Sequence, residues 1–352
     1  MRILVSGHYG NYPSILDSVG DALRRLGQET LIHCFNRTSL QRAIRDKLKR
    51  LPPGNMPDHH RLVKLIRENK PQVVFALRGD LIDVAILEDL KSKNHFQVWQ
   101  WIYDPLSVTP KCLGLSQLCD RLFHYSYSDT ERLRQKFPDK EVIFLPGAFD
   151  DRHHAPADSS EYDCDLFFCG CLNLKHYRYR VAYFEELLQL NERSASTMNI
   201  SVNYRPSNLD LIKIFLYKTS LRSSYPRVHK NLNLKTYDRI QLTRAYHSAR
   251  ACLNLHDLTC DGIGISPRTF ELIGAGACII SDLHPDFTRC FGDGELPFSI
   301  ANDAATALDI AFRLRADSGY RRSLVRRSLG VRGQHTYYER FKALSQSMTL
   351  RS

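Results

Sequence analysis

The stretch DGIGISPRTFELIGAGACIISD, residues 261–282, places a basic and an acidic side chain, Arg268 and Glu271, three residues apart behind a pair of glycines. On a helix, positions so spaced share one face. Ser266 is a good N-cap type, and Pro267 suits the first helical position, where its missing N–H would have no partner anyway. Gly262 and Gly264 let the backbone pass close to a bound group. The free N–H groups and positive dipole end of such a helix attract anions, and Arg268 adds a fork of donors suited to phosphate oxygens. A carboxylate at Glu271 can accept two coplanar hydrogen bonds, as a vicinal diol offers. Phosphate at the helix start with a ribose beside it describes a nucleoside diphosphate. Gly274 and Gly276 would allow close helix-to-strand packing. The same residues read equally as a surface ion pair beside glycines that only turn the chain.

A second basic constellation is CGCLNLKHYRYR, residues 169–180. Gly170 would clear room for a ligand, and Lys175, Arg178 and Arg180 could neutralise a diphosphate leaving group, a large catalytic term where charge develops. The alternative is a run of solvated surface charges. Carboxylates stand at two further strand ends. Asp104, in YDP, could orient or deprotonate a substrate hydroxyl, or close its strand as an Asx-turn. Asp80, in RGD, is placed alike, and His8, in GHYGNY, is a third candidate base. Tyr9, Tyr103 and Gly79 adjoin these three. The GHYGNY loop lacks the G-x-G-x-x-G spacing, and no acidic residue ends the next strand to hold a ribose.

These residues sit at the ends of apolar segments. RILVSG, ETLIHCF, PQVVFAL, FQVWQWIY, RLFHYS and EVIFLP read as strands, with helical patterns between most of them. SILDSVGDALRRLG is a helix stopped by Gly27. Near residue 150, GAFDDRHHAPADSSEYD is polar and without period, and reads as a linker. A second series then begins: CDLFFCG as a strand, RVAYFEELLQL as a helix, MNISVNY as a strand and YDRIQLTRAYHSA as a helix. ACLNLH and ACIISD are strands on either side of the helix PRTFELIGA, and ATALDIAFRLRA and YYERFKALSQSM are helices. Alternation of this kind predicts parallel sheets covered on both faces. Such sheets bind ligands at the carboxyl ends of their strands.

The bulk numbers agree with two domains in 352 residues. The net charge of +11 is spread out: residues 1–150 carry 22 Lys/Arg against 17 Asp/Glu, and the rest 27 against 21. A nucleic-acid reader gathers its charge into a stripe or tail, so no specific nucleic-acid partner is expected. The N-terminal apolar run is too short for a secretory segment, and no stretch reaches the roughly 18 apolar residues of a membrane span. A cytoplasmic protein with reduced thiols is expected. Cys164, Cys169 and Cys171 lack zinc-ligand spacing and read as packing cysteines. LQRAIRDKLKRL, residues 40–51, is basic with one apolar side, which fits either a helix on the inner membrane surface or a solvated helix packed on its own domain. Residues 205–235 carry seven Lys/Arg and only Asp210, a basic segment that could draw in an anionic substrate.

The segment PRTFELIGAG after CLNLH resembles the donor-site helix of GT-B glycosyltransferases, and is most similar to the spore-maturation CgeB-like group, with its R-x-F-E-x-x-x-x-G pattern after an LN strand. RGD, WQWIYDPLS, CDRLFHYSYSDTERLRQKF, FLPGAFD and DCDLFFCGCLNLKHYRYR follow the same resemblance in order along most of the chain. It is weakest for residues 36–65 and 191–240. It implies an α/β chain of two Rossmann-like domains facing a central cleft: residues 1–155 on the acceptor side, 156–330 binding the nucleotide sugar, and a C-terminal helix within 331–352 packing back on the first domain. It implies transfer of a sugar from a nucleotide diphosphate sugar to a hydroxyl of a glycan or glycolipid, in polysaccharide or lipopolysaccharide biosynthesis. Glu271 would hold the donor ribose and Arg268 would face the diphosphate, with Ser266, Gly264, Thr269, Gly170, Lys175, Arg178 and Arg180 around them. Asp104, His8 and Asp80 would be the catalytic candidates, with Tyr9, Tyr103 and Gly79 on the acceptor side. No metal and no cofactor beyond the co-substrate is expected. One departure stands out: related retaining enzymes carry a second Glu eight residues before the first, where this chain has Ile263, with Asp261 the nearest carboxylate. The rival readings are a nucleotide-sugar epimerase on the same fold and a non-catalytic binder of sugar nucleotides or polyanions.

Overall fold

The computed structural model describes residues 1–8, 15–35, 57–156, 162–172, 174, 178–192, 196–201, 219–235, 237–256 and 258–349. They fall into two units: Met1–Gly147 with Asp261–Gly264 and the C-terminal stretch from Tyr337, and Ala148–Cys260 with Ile265–Thr336. The basic segment 40–51 lies outside the described residues, as do residues 202–218.

The first unit holds a six-stranded parallel sheet. Its strands are β1 (Arg2–His8), β2 (Glu29–Phe35), β3 (Val73–Leu77), β4 (Gln97–Ile102), β5 (Arg121–His124) and β6 (Glu141–Phe144), in the order β2-β1-β3-β4-β5-β6. All five residues of β3, VVFAL, are buried, as expected of a central parallel strand covered on both faces. The register runs Arg2↔Glu29 to His8↔Phe35 on one side of β1 and Ile3↔Val73 to Ser6↔Ala76 on the other. The helix Ile15–Arg25 buries Leu16, Val19, Ala22 and Leu23, and Gly27 follows at φ 77°. The C-terminal helix Tyr337–Thr349 covers the same sheet, with Phe341 edge-on to Phe75 at 5.9 Å and Tyr337 edge-on to Trp101 at 6.3 Å.

The second unit holds β7 (Cys164–Cys169), β8 (Met198–Ser201), β9 (Leu232–Asn233), β10 (Ala249–Asn254), β11 (Ile279–Ser281) and β12 (Ser299–Ile300). They are parallel in the order β12-β11-β10-β7-β8-β9. Numbered from β7, that is the doubly wound 3-2-1-4-5-6 arrangement. All of CDLFFC is buried. Its one charge, Asp165, accepts from Thr197 N at 3.0 Å and pairs with Arg250 at 3.0 Å.

The first unit runs to Gly147, and the second begins at Ala148. The polar texture after 147 conceals two anchors. Phe149 is fully buried against Gly274, where a Cβ would stand 2.4 Å from the ring. Asp150 is buried and paired with Arg152 at 2.6 Å and Arg239 at 3.2 Å. Gly274 therefore admits Phe149, and Gly276, at φ 70°, terminates its helix as a left-handed C-cap. Both differ from the expected helix-to-strand packing. A helix at Ser318–Arg332 and the two-residue strands β9 and β12 were not legible as separate elements.

Candidate functional site

Each sheet reverses its strand order once, and the carboxyl ends of the strands flanking that reversal form a crevice. In the second unit the reversal lies between β7 and β10, which puts Gly170 on one side and Asn254 to His256 on the other. The helix Pro267–Ala275 follows β10. The guanidinium of Arg268 lies over the Phe168 ring, 4.6 Å from its centroid. It fills the space beside Gly170, where a Cβ would be 2.1 Å from Nη2. Its buried Nη1 has no hydrogen-bond partner among the described residues. Glu271, one turn on, is buried.

Ser266 is the N-cap residue, but its side chain makes no capping hydrogen bond. Its hydroxyl instead donates to Asn254 Oδ1 at 3.4 Å. The cause is a buried polar chain behind the helix start. Asn254 Nδ2 donates to Thr269 Oγ1 at 2.9 Å, and Thr269 Oγ1 meets His256 Nε2 at 3.1 Å. His256 Nδ1 lies 2.6 Å from Asp282 Oδ1, and its backbone N–H donates to Asp282 Oδ2 at 2.7 Å. Burial pushes the Asp282 carboxyl up, but the hydrogen bonds and charge of His256, with His284, outweigh it and leave it below the ordinary value. Thr269 thus faces the interior of the unit.

The other donor-side candidates separate. Arg180 is buried, and its Nη1 and Nη2 donate to the carbonyls of Cys171 at 2.8 Å and Leu255 at 2.7 Å. It ties together the two strand ends that flank the crevice. Arg178 is exposed, with Nε 3.4 Å from the Tyr225 hydroxyl. Lys175 lies outside the described residues. The glycines ahead of the helix belong to the first unit. A Cβ on Gly264 would stand 2.7 Å from the Tyr125 carbonyl oxygen, and one on Gly262, at φ 75°, 2.3 Å from the Asp129 carboxylate. Protein packs closely against both positions. Asp261 pairs with Arg132 at 2.7 Å. Cys164 and Cys169 are buried, and burial pushes the Cys164 thiol up to about 12. Cys171 is exposed, unlike a packing cysteine.

In the first unit the reversal lies between β1 and β3. His8 ends β1, half-buried and in register with Phe35. Tyr9 lies outside the described residues. After β3, Arg78 and Gly79 are both left-handed, at φ 66° and 86°. A Cβ on Gly79 would stand 2.5 Å from Leu115 Cδ2 and 2.8 Å from Gln100 Nε2, so tight packing excludes a side chain there. Arg78 reaches Asp80 and Asp104 at 3.2 Å each. Burial among the surrounding residues raises the Asp104 carboxyl to about 6, although its side chain stays 35% exposed, against the opposing charge of Arg78 and with a contribution from Asp80. Tyr103 stands edge-on to Trp101 at 5.8 Å, and burial pushes its phenol well above the ordinary value.

Arg78 and the pair His256–Asp282 were the residues sequence reading passed over. The RGD tripeptide held Arg78 in plain view, and ACLNLH and ACIISD end on a His and an Asp. Adjacency of those strands was the missing information.

Two parallel-sheet α/β units with these strand orders define the GT-B fold. Three solved structures share it along the chain. They are Anabaena Alr3699/HepE in complex with UDP-glucose (TM-score 0.65, 8% identity, 99% of each chain), the sucrose-phosphate synthase of Thermosynechococcus elongatus (0.64, 11%, 99% of this chain and 100% of the other), and S. aureus MnaA with UDP (0.55, 10%, 97% and 93%). Residues 217–346 match a family model described as glycosyl transferase-like. A comparison with curated proteins returns no match.

Proposed function

We propose that the protein transfers a sugar from a nucleoside diphosphate sugar to a hydroxyl of a glycan or glycolipid. The observation that carries this reading is the start of the helix Pro267–Ala275. Its N-cap side chain is drawn away to Asn254, and the guanidinium of Arg268 stands beside Gly170 at the reversal point of the second sheet. An anion at that place meets the positive end of the helix dipole and the planar fork of Arg268, although Pro267 has no N–H and the Thr269 N–H is already given to the Ser266 carbonyl at 3.0 Å. Glu271 would accept from the ribose hydroxyls. The glycosyl transferase-like match over residues 217–346 and the fold shared with proteins holding UDP-glucose and UDP support this assignment.

In the reaction, the acceptor oxygen bonds to the anomeric carbon as the bond from that carbon to the diphosphate oxygen breaks. The acceptor proton passes to a base, for which Asp104 is the candidate, with Asp80 and His8 beside the same sheet end. Charge on the departing diphosphate would be met by Arg268 and the helix start, which lets the reaction proceed without a metal. The CgeB-like resemblance, a polysaccharide or lipopolysaccharide acceptor and a site of action at the inner membrane surface belong to this same reading.

The test is a thermal-shift panel of uridine, guanosine, adenosine, cytidine and thymidine nucleotides on the wild type and on Glu271→Ala. A ligand that binds the folded state alone raises the melting temperature. One nucleotide should stabilise the wild type and lose its effect in the variant. No shift from any nucleotide at millimolar concentration would remove the donor site. Incubation of the stabilising sugar nucleotide without acceptor then separates transfer from epimerisation, which alters the donor unaided.

A further inference from the structure

The segment after β3 carries two successive left-handed residues, and the first of them is an arginine. Backbone strain of this kind persists only where the surroundings over-determine it. Here β4 does so. The Arg78 N–H donates to the Trp101 carbonyl at 2.8 Å, and the Arg78 carbonyl accepts from Gln100 Nε2 at 2.6 Å. Gln100 is itself buried and also donates to the Cys112 carbonyl at 2.9 Å. The strained backbone thereby aims the guanidinium between two carboxylates, with Nη2 3.2 Å from Asp80 and Nη1 3.2 Å from Asp104.

We propose that Arg78 is a positioning residue for Asp104: clamped between Asp80 and Asp104, it fixes the orientation of the Asp104 carboxylate and keeps it ionised as the acceptor-side base. This rests on the reading of Asp104 given above. Asp104 is faced by Arg78 and Asp80 from the segment after β3, by Tyr103, the residue before it after β4, and by Cys112 from the turn Pro110–Cys112. His124, at the end of β5, lies against the Asp104 backbone. Burial has raised the Tyr103 phenol and the Cys112 thiol, the latter to about 11. Burial also lowers His124 to about 4. Among the described residues, Arg78 is thus the cation that opposes the burial of Asp104, while Asp80 works with it. The two neighbours must act on Asp104 with opposite sign.

The test reads the titration directly. Aspartate carboxyl carbons are labelled with 13C and followed by NMR from acid to neutral pH, and Asp104→Asn identifies the Asp104 signal. Arg78→Gln should move the Asp104 midpoint up by about one unit or more. Arg78→Lys should return most of that shift. Asp80→Asn should move the midpoint down. A folded Arg78→Gln protein with an unmoved midpoint, or an Asp80→Asn protein whose midpoint rises, would overturn the assignment. Should Arg78→Gln not fold, the Lys and Asp80→Asn arms still decide it. Where transfer can be assayed, the acid limb of kcat/KM should follow the same order. Midpoints that move as stated in a protein with no transferase activity would leave Arg78 in place and remove the transferase reading instead.

Discussion

The guanidinium of Arg268 occupies the volume that a side chain at Gly170 would need, with Nη2 2.1 Å from the position of a Cβ there. The two residues lie on different strand–helix connections and meet only because β7 and β10 are neighbours. Gly170→Ala should therefore act on Arg268. The guanidinium end can swing away, but the Cβ would also stand 2.9 Å from the buried Phe168 ring, so a modest fall in melting temperature should accompany the effect. Nucleotide affinity, measured by calorimetry, should fall about ten- to a hundredfold, the equivalent of losing about 1.5–3 kcal/mol of hydrogen bonding to a charged group. Unchanged affinity in a folded variant would place the diphosphate elsewhere.

The polar chain from Ser266 to Asp282 makes a separate prediction about stability and pH. Asp282 holds both the ring and the backbone N–H of His256. Asp282→Asn should cost about 1–3 kcal/mol at neutral pH in chemical denaturation, because buried donors are left poorly matched. The folded-state pKa of Asp282 is depressed. Its contribution is therefore present above the unfolded carboxylate value and lost as pH falls through the lower folded value. The gap between wild type and variant should close below about pH 4. A gap that stayed constant into acid would mean that the Asp282 carboxyl titrates alike in the folded and unfolded chain, and would remove the depressed folded value.

Gly262 tests the packing role assigned to the loop glycines. It combines φ 75° with a Cβ position 2.3 Å from the Asp129 carboxylate, which is itself buried and accepts from the Leu106 N–H at 2.8 Å. Gly262→Ala should lower stability by about 1–3 kcal/mol, from backbone strain and from displacing a buried hydrogen-bonded carboxylate. A loop that was glycine-rich only to approach a ligand would show a nucleotide-affinity loss with no change in melting temperature.

The fold was legible because parallel strands buried on both faces leave continuous apolar runs, and VVFAL and CDLFFC are such runs. The helix Pro267–Ala275 was legible to the residue, because proline and glycine punctuate both its ends. What escaped was anything set by strand adjacency. His256 and Asp282 are 26 positions apart and meet only across the pairing of β10 with β11. Arg78 meets Asp104 only because β3 lies beside β4. Side-chain direction escaped as well: Ser266 has the right type for a cap, yet Asn254 competes for its hydroxyl. Local signals specify elements, while the partners of a buried polar group are fixed by topology.

Arg180 separates a structural from a substrate-binding arginine. From its sequence neighbourhood it belongs with Lys175 and Arg178 as a candidate for phosphate. In the structure it is buried, and both terminal nitrogens are spent on the Cys171 and Leu255 carbonyls. Arg180→Met should leave those two carbonyls without donors and destabilise the protein by about 2–5 kcal/mol, read by chemical denaturation. Arg180→Lys should recover only part of this, since one ammonium replaces a planar fork that spans two acceptors. Nucleotide affinity in whatever fraction remains folded should fall far less than in Arg268→Met. The opposite result, full stability with nucleotide binding lost, would require Arg180 to leave both carbonyls when ligand arrives, and would make it a diphosphate contact rather than the tie between the ends of β7 and β10.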